Sequence, residues 1–282
     1  NNSYRNLNST QNDLSKSLEK LSTGLRINRA GDDAAGLSIS EGLKAQVTGS
    51  AQAARNAQDG ISVIQTTEGA LTEVHSILQR MRDLAVQGSN DTNNADARLA
   101  IKAEGNALGQ ELDRITKATN FNGIDLLKGA AGTGVSATAT PGSLEIQVGT
   151  GTTAADRISL VLSDKFDAVS LNVASSALAL SGATTADAHT KADAAMSAVD
   201  AALARVTATR AGLGAAQNRL TSTIANLQSM RENTDAARGR IQDVDFAAET
   251  SELTKQQTLQ QASTAILAQA NQLPAAVLKL LQ

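Results

Sequence analysis

Residues 199–227, VDAALARVTATRAGLGAAQNRLTSTIANL, place Val199, Val206, Leu213, Leu220 and Leu227 seven residues apart. Leu203 and Ile224 follow Val199 and Leu220 at the four-residue step. A seven-residue apolar repeat with a second apolar position inside it is the pattern of a helix packed side by side with others. The stretch therefore predicts one long helix over about 185–238, broken by RGRIQDVDF (238–246).

The same repeat recurs on both sides of the chain. Leu7, Leu14, Leu18, Leu21 and Leu25 mark a first helix, ended by LSTGLRINRAGDDAAGLSIS (21–40), whose glycines read as a linker or folded-back segment. Ile64, Leu71, Leu78 and Ala85, flanked by Thr67, Val74 and Met81, predict a helix over about 47–88. At 1.5 Å per residue it is roughly 60 Å long. GSNDTNNAD (88–96) is a turn with Asn93 as candidate N-cap, and Ile101, Leu108, Leu112 and Ile115 carry the next helix up to NFNG (120–123). Residues 129–143 read as loop, LEIQV (144–148) and RISLVL (157–162) as one β-hairpin, and 163–184 as a weakly patterned connector. A last helix follows Leu253, Leu259, Ala262, Ile266, Ala270, Leu273 and Val277.

Composition agrees with long, thin helices. Among 282 residues there is one Tyr, three Phe, no Trp and only two Pro, while hydrophobic residues still make up 41%. Aromatics usually carry much of a compact core, so an ordinary globular enzyme is disfavoured. Zero cysteines exclude disulfides, thiolate metal sites and cysteine nucleophiles. A net charge of −3 gives no electrostatic case for nucleic acid or an anionic membrane. The opening NNSYRNLNST is polar and reads as no secretory signal peptide. Residues 256–278 hold no charge, but their glutamines, asparagines and Pro274 make an interface helix of them, not a membrane span.

Catalytic and cofactor patterns are absent from the sequence. His75 and His189 stand apart from other ligand-type residues and read as solvent-facing helix positions. Asp32–Asp33 and Asp243/Asp245 lie in breaks between helices, where carboxylates cap helix starts. Gly149-Thr150-Gly151 is too short for a phosphate loop, and no metal site is read. The amphipathic stripes remain. The last helix pairs a Leu/Ile stripe and close-packing Ala262 and Ala270 with uncharged amides over most of its circumference. A solvated face would carry Lys and Glu, so this helix is expected to be buried by copies of the same surface.

The expected fold is mainly α: a long antiparallel coiled-coil bundle in two stacked domains, each built from both chain ends, with one small β-hairpin region. Residues 1–45 plus 239–282 form the terminal domain. Residues 46–238 form the inner helical domain, with the hairpin at about 144–162 and no outer variable domain. Pairing the chain ends closes a loop of nearly the whole chain, so the terminal pair is expected to be the least stable part of a free monomer.

LSTGLRINRAGDDAAGLSIS (21–40), AQAARNAQDGISVIQTTEGAL (51–71), LQRMRDLAVQ (78–87), NFNGIDLL (120–127), RAGLGAAQNRL (210–220), RGRIQDVDFAAETSELT (238–254) and QASTAILAQANQLPAAVLKLLQ (261–282) closely resemble bacterial flagellins. The resemblance spans all but about 129–190. It implies a non-enzymatic subunit of the extracellular flagellar filament, exported by the flagellar type III apparatus. Its partners would be itself, the filament cap and hook-associated proteins, and an export chaperone at the C-terminal helix. The implied polymerisation seam is Leu7, Leu14, Leu18, Leu21, Leu25, Leu253, Leu259, Ile266, Leu273 and Val277. Recognition by an innate-immune Toll-like receptor is also implied, with the family's contact arginine, leucine and glutamate falling on Arg80, Leu84 and Glu104. Their ordinary readings are a surface charge, a packing leucine and a helix-face charge. Family members begin somewhat earlier, so this chain is expected to start inside the first helix. A hook–filament junction protein of the same superfamily is the alternative.

Overall fold

The computed structural model describes the backbone of residues 2–129, 142–174 and 185–280, and the side chains of 4–129, 142–174 and 187–269. The fold is mainly α, with two small antiparallel sheets among the described residues. Helices α1 (Asn2–Thr23), α2 (Ala34–Gly88) and α3 (Ala95–Ala118) come first. Strands β1 (Asn120–Phe121) and β2 (Ile124–Asp125) follow. Then come β3 (Ser143–Gln147), a 3-10 turn at Ala154–Asp156, and β4 (Arg157–Val161). Helices α4 (Thr185–Gln242) and α5 (Phe246–Leu280) complete the chain.

The chain divides into two compact units, 1–48 with 230–282, and 49–229.

In the unit 49–229 the core lies along the expected stripes. Ile64, Leu71, Val74, Leu78, Met81 and Ala85 of α2 are buried, as are Val199, Val206, Leu213, Leu220 and Leu227 of α4. Leu112 of α3 joins them. The β3–β4 hairpin pairs Leu144 with Leu160 and Ile146 with Ile158. It covers the helices with Ile146, Val148, Ile158, Leu160 and Leu162. Its approach to α2 is close at Gly60, where a Cβ would stand 3.3 Å from both Ile146 Cγ1 and Leu220 Cδ1. Asn56 Nδ2 donates to the Gln147 carbonyl (3.1 Å) and ties the same two elements.

Five details differ from the sequence expectation. First, α2 begins at Ala34 rather than near 47, so the break spans only 24–33. Gly36 and Gly42 lie inside the helix. Gly36 is there for packing: a Cβ would meet Ile27 Cδ1 at 2.7 Å. Second, Asn94, not Asn93, caps α3, its Oδ1 accepting from Ala97 N (2.8 Å). Third, NFNG forms a second hairpin. Asn122 (φ 49°) and Gly123 (φ 79°) make the two-residue turn whose twist matches paired strands. Fourth, α4 continues to Gln242, four residues beyond the expected end. Fifth, the connector packs in its described part. Phe166, Ala168, Leu171 and Val173 are buried, the Ala168 amide donates to Asp113 Oδ1 (2.8 Å), and Thr116 Oγ1 donates to the Phe166 carbonyl (3.0 Å). Tertiary hydrogen bonds, not periodicity, place this segment.

Candidate assembly surface of the terminal helices

In the unit made from both chain ends, α1 packs against α5. The face that α1 turns inward is set at the three- and four-residue steps. Leu7, Thr10, Leu14 and Leu21 are half-buried and Ser17 is buried. Leu at every seventh position alternates with small hydroxyl side chains, which let the helices approach. Leu18 falls off this face and is 49% exposed. Leu25 lies beyond the helix and forms an antiparallel bridge with Asp243.

The inward face of α5 is largely polar. Glu249, Glu252, Leu253, Gln260, Ser263 and Leu267 are half-buried, and Gln256 is buried. Leu259, Ala262 and Ile266 point outward, with Leu259 47% and Ile266 59% exposed. The expected seam thus splits in two. Leu253 faces inward, while Leu259 and Ile266 form a separate outer stripe. The side chains of Leu273 and Val277 lie outside the described residues. The seam reading missed Thr10, Ser17 and Gln256, since polar residues do not register as apolar periodicity. Their three-residue offsets from Leu7, Leu14 and Leu253 were the available signal.

Of the carboxylates read as caps, Asp33 and Asp245 hold helix starts, whereas Asp32 bonds loop amides and Asp243 bridges Leu25. Asp33 Oδ1 accepts from Gly36 N (2.8 Å) and Asp245 Oδ1 from Ala247 N (3.0 Å), each at a helix start. Asp32 Oδ2 accepts from the amides of Asn28 (3.1 Å) and Arg29 (3.0 Å). Those two bonds, the Arg29 amide first, hold the Asp32 carboxyl below the ordinary value of 3.8. A depressed folded value means that the stabilisation is present above the ordinary value. It is lost as pH falls through the lower folded one. Protection of the Asn28 and Arg29 amides from hydrogen exchange, relative to the intrinsic rate at each pH, is therefore expected to fall below about pH 4. In Asp32→Asn the acid-dependent step at those amides should disappear, and a persisting step would refute the assignment.

The remaining singled-out residues lie in the other unit. Arg80 Nε donates to Glu104 Oε1 (2.9 Å) across α2 and α3, with both side chains about half exposed. Leu84 is 1% exposed and packs with Ile101 and Ala192, as a packing leucine does. Gln79 Nε2 donates to His75 Nε2 (3.0 Å), and His75 Nδ1 is buried without a partner. His189 keeps its side chain 43% exposed, with its Nε2 3.0 Å from Asp91 Oδ1 and its Nδ1 3.2 Å from Ser89 Oγ. It ties the start of α4 to the α2–α3 turn.

Among the described residues no three His, Cys, Asp or Glu gather as a metal site, and no helix is long and apolar enough to cross a membrane. What the chain offers is helix surface, and its relatives say of what kind. The bacterial flagellin N-terminal helical region matches residues 1–132, and the flagellin C-terminal helical region matches 196–281. A flagellin of Halalkalibacterium halodurans is 48% identical, over 100% of this chain and 96% of that protein. A flagellin of Bacillus subtilis is 45% identical, over 100% and 97%. The chain belongs to the bacterial flagellin family. It is a structural subunit of the bacterial flagellar filament, an extracellular polymer of flagellin. A solved flagellar hook-associated protein of Vibrio parahaemolyticus covers 75% of this chain and all of that chain, with TM-score 0.60 and 16% identity. That likeness shows a shared fold. Near-complete coverage of relatives that are flagellins favours the filament subunit over the junction protein.

Proposed function

We propose that this flagellin assembles by ordering its terminal domain, 1–45 with 239–282, against copies of itself, while the inner domain, 46–238, folds alone. The observation that carries this reading is the two-faced α5. Its polar face is turned to α1, and its apolar stripe Leu259–Ala262–Ile266 is left outward, with Leu18 exposed on α1. Burying such a stripe stabilises by about 25 cal/mol per Å2 of apolar surface. The amides and hydroxyls beside it avoid the desolvation cost of charges at a subunit contact. Leu7, Leu14, Leu21, Leu25 and Leu253 set the pair within one subunit. Leu18, Leu259 and Ile266 complete the seam between subunits.

Removal of residues 247–282 tests the division. The shortened chain is expected to remain a soluble monomer with one cooperative melting transition and to form no filaments under the electron microscope. Filaments from it would sink the reading.

The subunit is exported through the growing filament, escorted by a chaperone on the C-terminal helix, and added beneath the cap. A chain without cysteine and with four aromatics suits passage in an unfolded state. Recognition by a Toll-like receptor uses the Arg80–Glu104 surface. Arg80→Ala in soluble monomer is expected to reduce receptor signalling, and unchanged signalling would withdraw the assignment.

A further inference from the structure

The two chain ends are joined by a short clasp that the apolar pattern does not announce. The Arg26 amide donates to the Gln242 carbonyl (2.6 Å), and the Val244 amide donates to the Gly24 carbonyl (3.0 Å). These bonds flank the Leu25↔Asp243 bridge. Arg26 Nη2 donates to the Ile241 carbonyl (2.6 Å). That carbonyl belongs to the last turn of α4, whose terminal carbonyls lack helical partners and carry the negative end of the helix dipole. A guanidinium there is both a cap and a favourable charge.

The segment that presents Arg26 is itself over-determined. Gly24 takes φ +73°, which turns the chain out of α1. Asn28 Nδ2 donates back to Thr23 Oγ1 (2.9 Å) and to the Leu25 carbonyl (3.2 Å). Asp32 receives the next two amides, and Ile27 is buried beside Gly36. Arg29 Nη2 reaches Glu19 of α1 (2.9 Å).

We propose that this clasp fixes the axial register of the terminal helix pair, with Arg26 as its positioning residue, and so sets where the α5 stripe is presented for assembly. The proposal rests on the assembly reading above and deepens it. The unit that holds the clasp also contains the start of α2 and the end of α4, where Gln46 Nε2 lies 3.8 Å from Met230 Sδ. With the clasp closed, α1 and α5 zip from adjacent starting points, and the closure of a nearly chain-long loop is no longer charged to assembly. A slip of even one residue on either side would turn a different face of α5 outward, since successive helix positions differ by about 100°.

The test uses the full chain in seeded polymerisation followed by light scattering. Arg26→Ala is expected to raise the critical concentration about tenfold, as for loss of one hydrogen bond from a charged donor. Its melting transition for residues 49–229 should not move. Arg26→Lys, which keeps a cation over the helix end, should recover most of the loss. A second variant locks the clasp. Leu25 and Asp243 form a bridge of the non-hydrogen-bonded kind, with Cα atoms about 4.5 Å apart, which a disulfide can span. Leu25→Cys with Asp243→Cys introduces the sole thiols of the chain. Oxidised, it should polymerise at a lower critical concentration than the same variant reduced. Adding Arg26→Ala to the oxidised pair should then cost little. An unchanged critical concentration in Arg26→Ala would overturn the proposal, as would an oxidised clasp that blocks growth. Failure of the stripe reading shows separately, as normal growth when Leu259 and Ile266 are made polar.

Discussion

Leu259→Ser combined with Ile266→Ser is expected to abolish filament growth while leaving the free chain as stable as before. Both side chains are about half exposed on the outer face of α5, at 47% and 59%. Surface substitutions of this kind change monomer stability by no more than about 0.5 kcal/mol. At a contact between copies the same side chains would each contribute about 1.5–3 kcal/mol on full burial. Losing both should raise the critical concentration about a hundredfold or more. Sedimentation at fixed total concentration reads this directly, because the variant should stay in the supernatant. The neighbouring inward positions give the control. Ser263→Ala sits on the face turned to α1 and should leave growth nearly unchanged. If the double variant pellets like the wild type, the outward stripe is not the assembly surface.

The second large effect lies in the inner core. Leu71 is fully buried on the α2 stripe that meets α4 and the β3–β4 hairpin. Leu71→Ala is expected to cost about 2–5 kcal/mol, the transfer loss plus the cavity left among side chains that relax only partly. For a unit of this size the melting temperature should fall by about 10 °C. The measurement is the cooperative transition of the chain lacking 247–282, where no filament contact adds stability. A fall of less than about 2 °C would mean that the stripe is not a continuous core.

Where an element was legible beforehand, one surface decided it. Val199, Val206, Leu213, Leu220 and Leu227 repeat at seven because one face of α4 meets one core, and all five are buried. The β3–β4 hairpin was legible for the same reason, with alternate residues facing the helices. Residues 166–174 were not, because Asp113 and Thr116 fix them through bonds to backbone groups, which leave no periodic trace. Gly36 misled for a related reason. A glycine reads locally as a break, yet here it admits Ile27 against a helix that continues.

By itself, then, the sequence determined the helices and the absence of an ordinary aromatic core, and its charge-free stretch 256–278 raised the expectation of a buried interface helix. Backbone propensity and repeat spacing are local properties, written residue by residue. Only the tertiary structure decided that Gln256, not Leu259, faces α1, and that Arg26 closes the chain ends over Ile241. On α5, Leu, Ile, Ala and Gln occupy nearly every direction around the axis, so composition cannot choose which face is inside. That choice belongs to the clasp and the neighbouring helix, which are far away in sequence and adjacent in space.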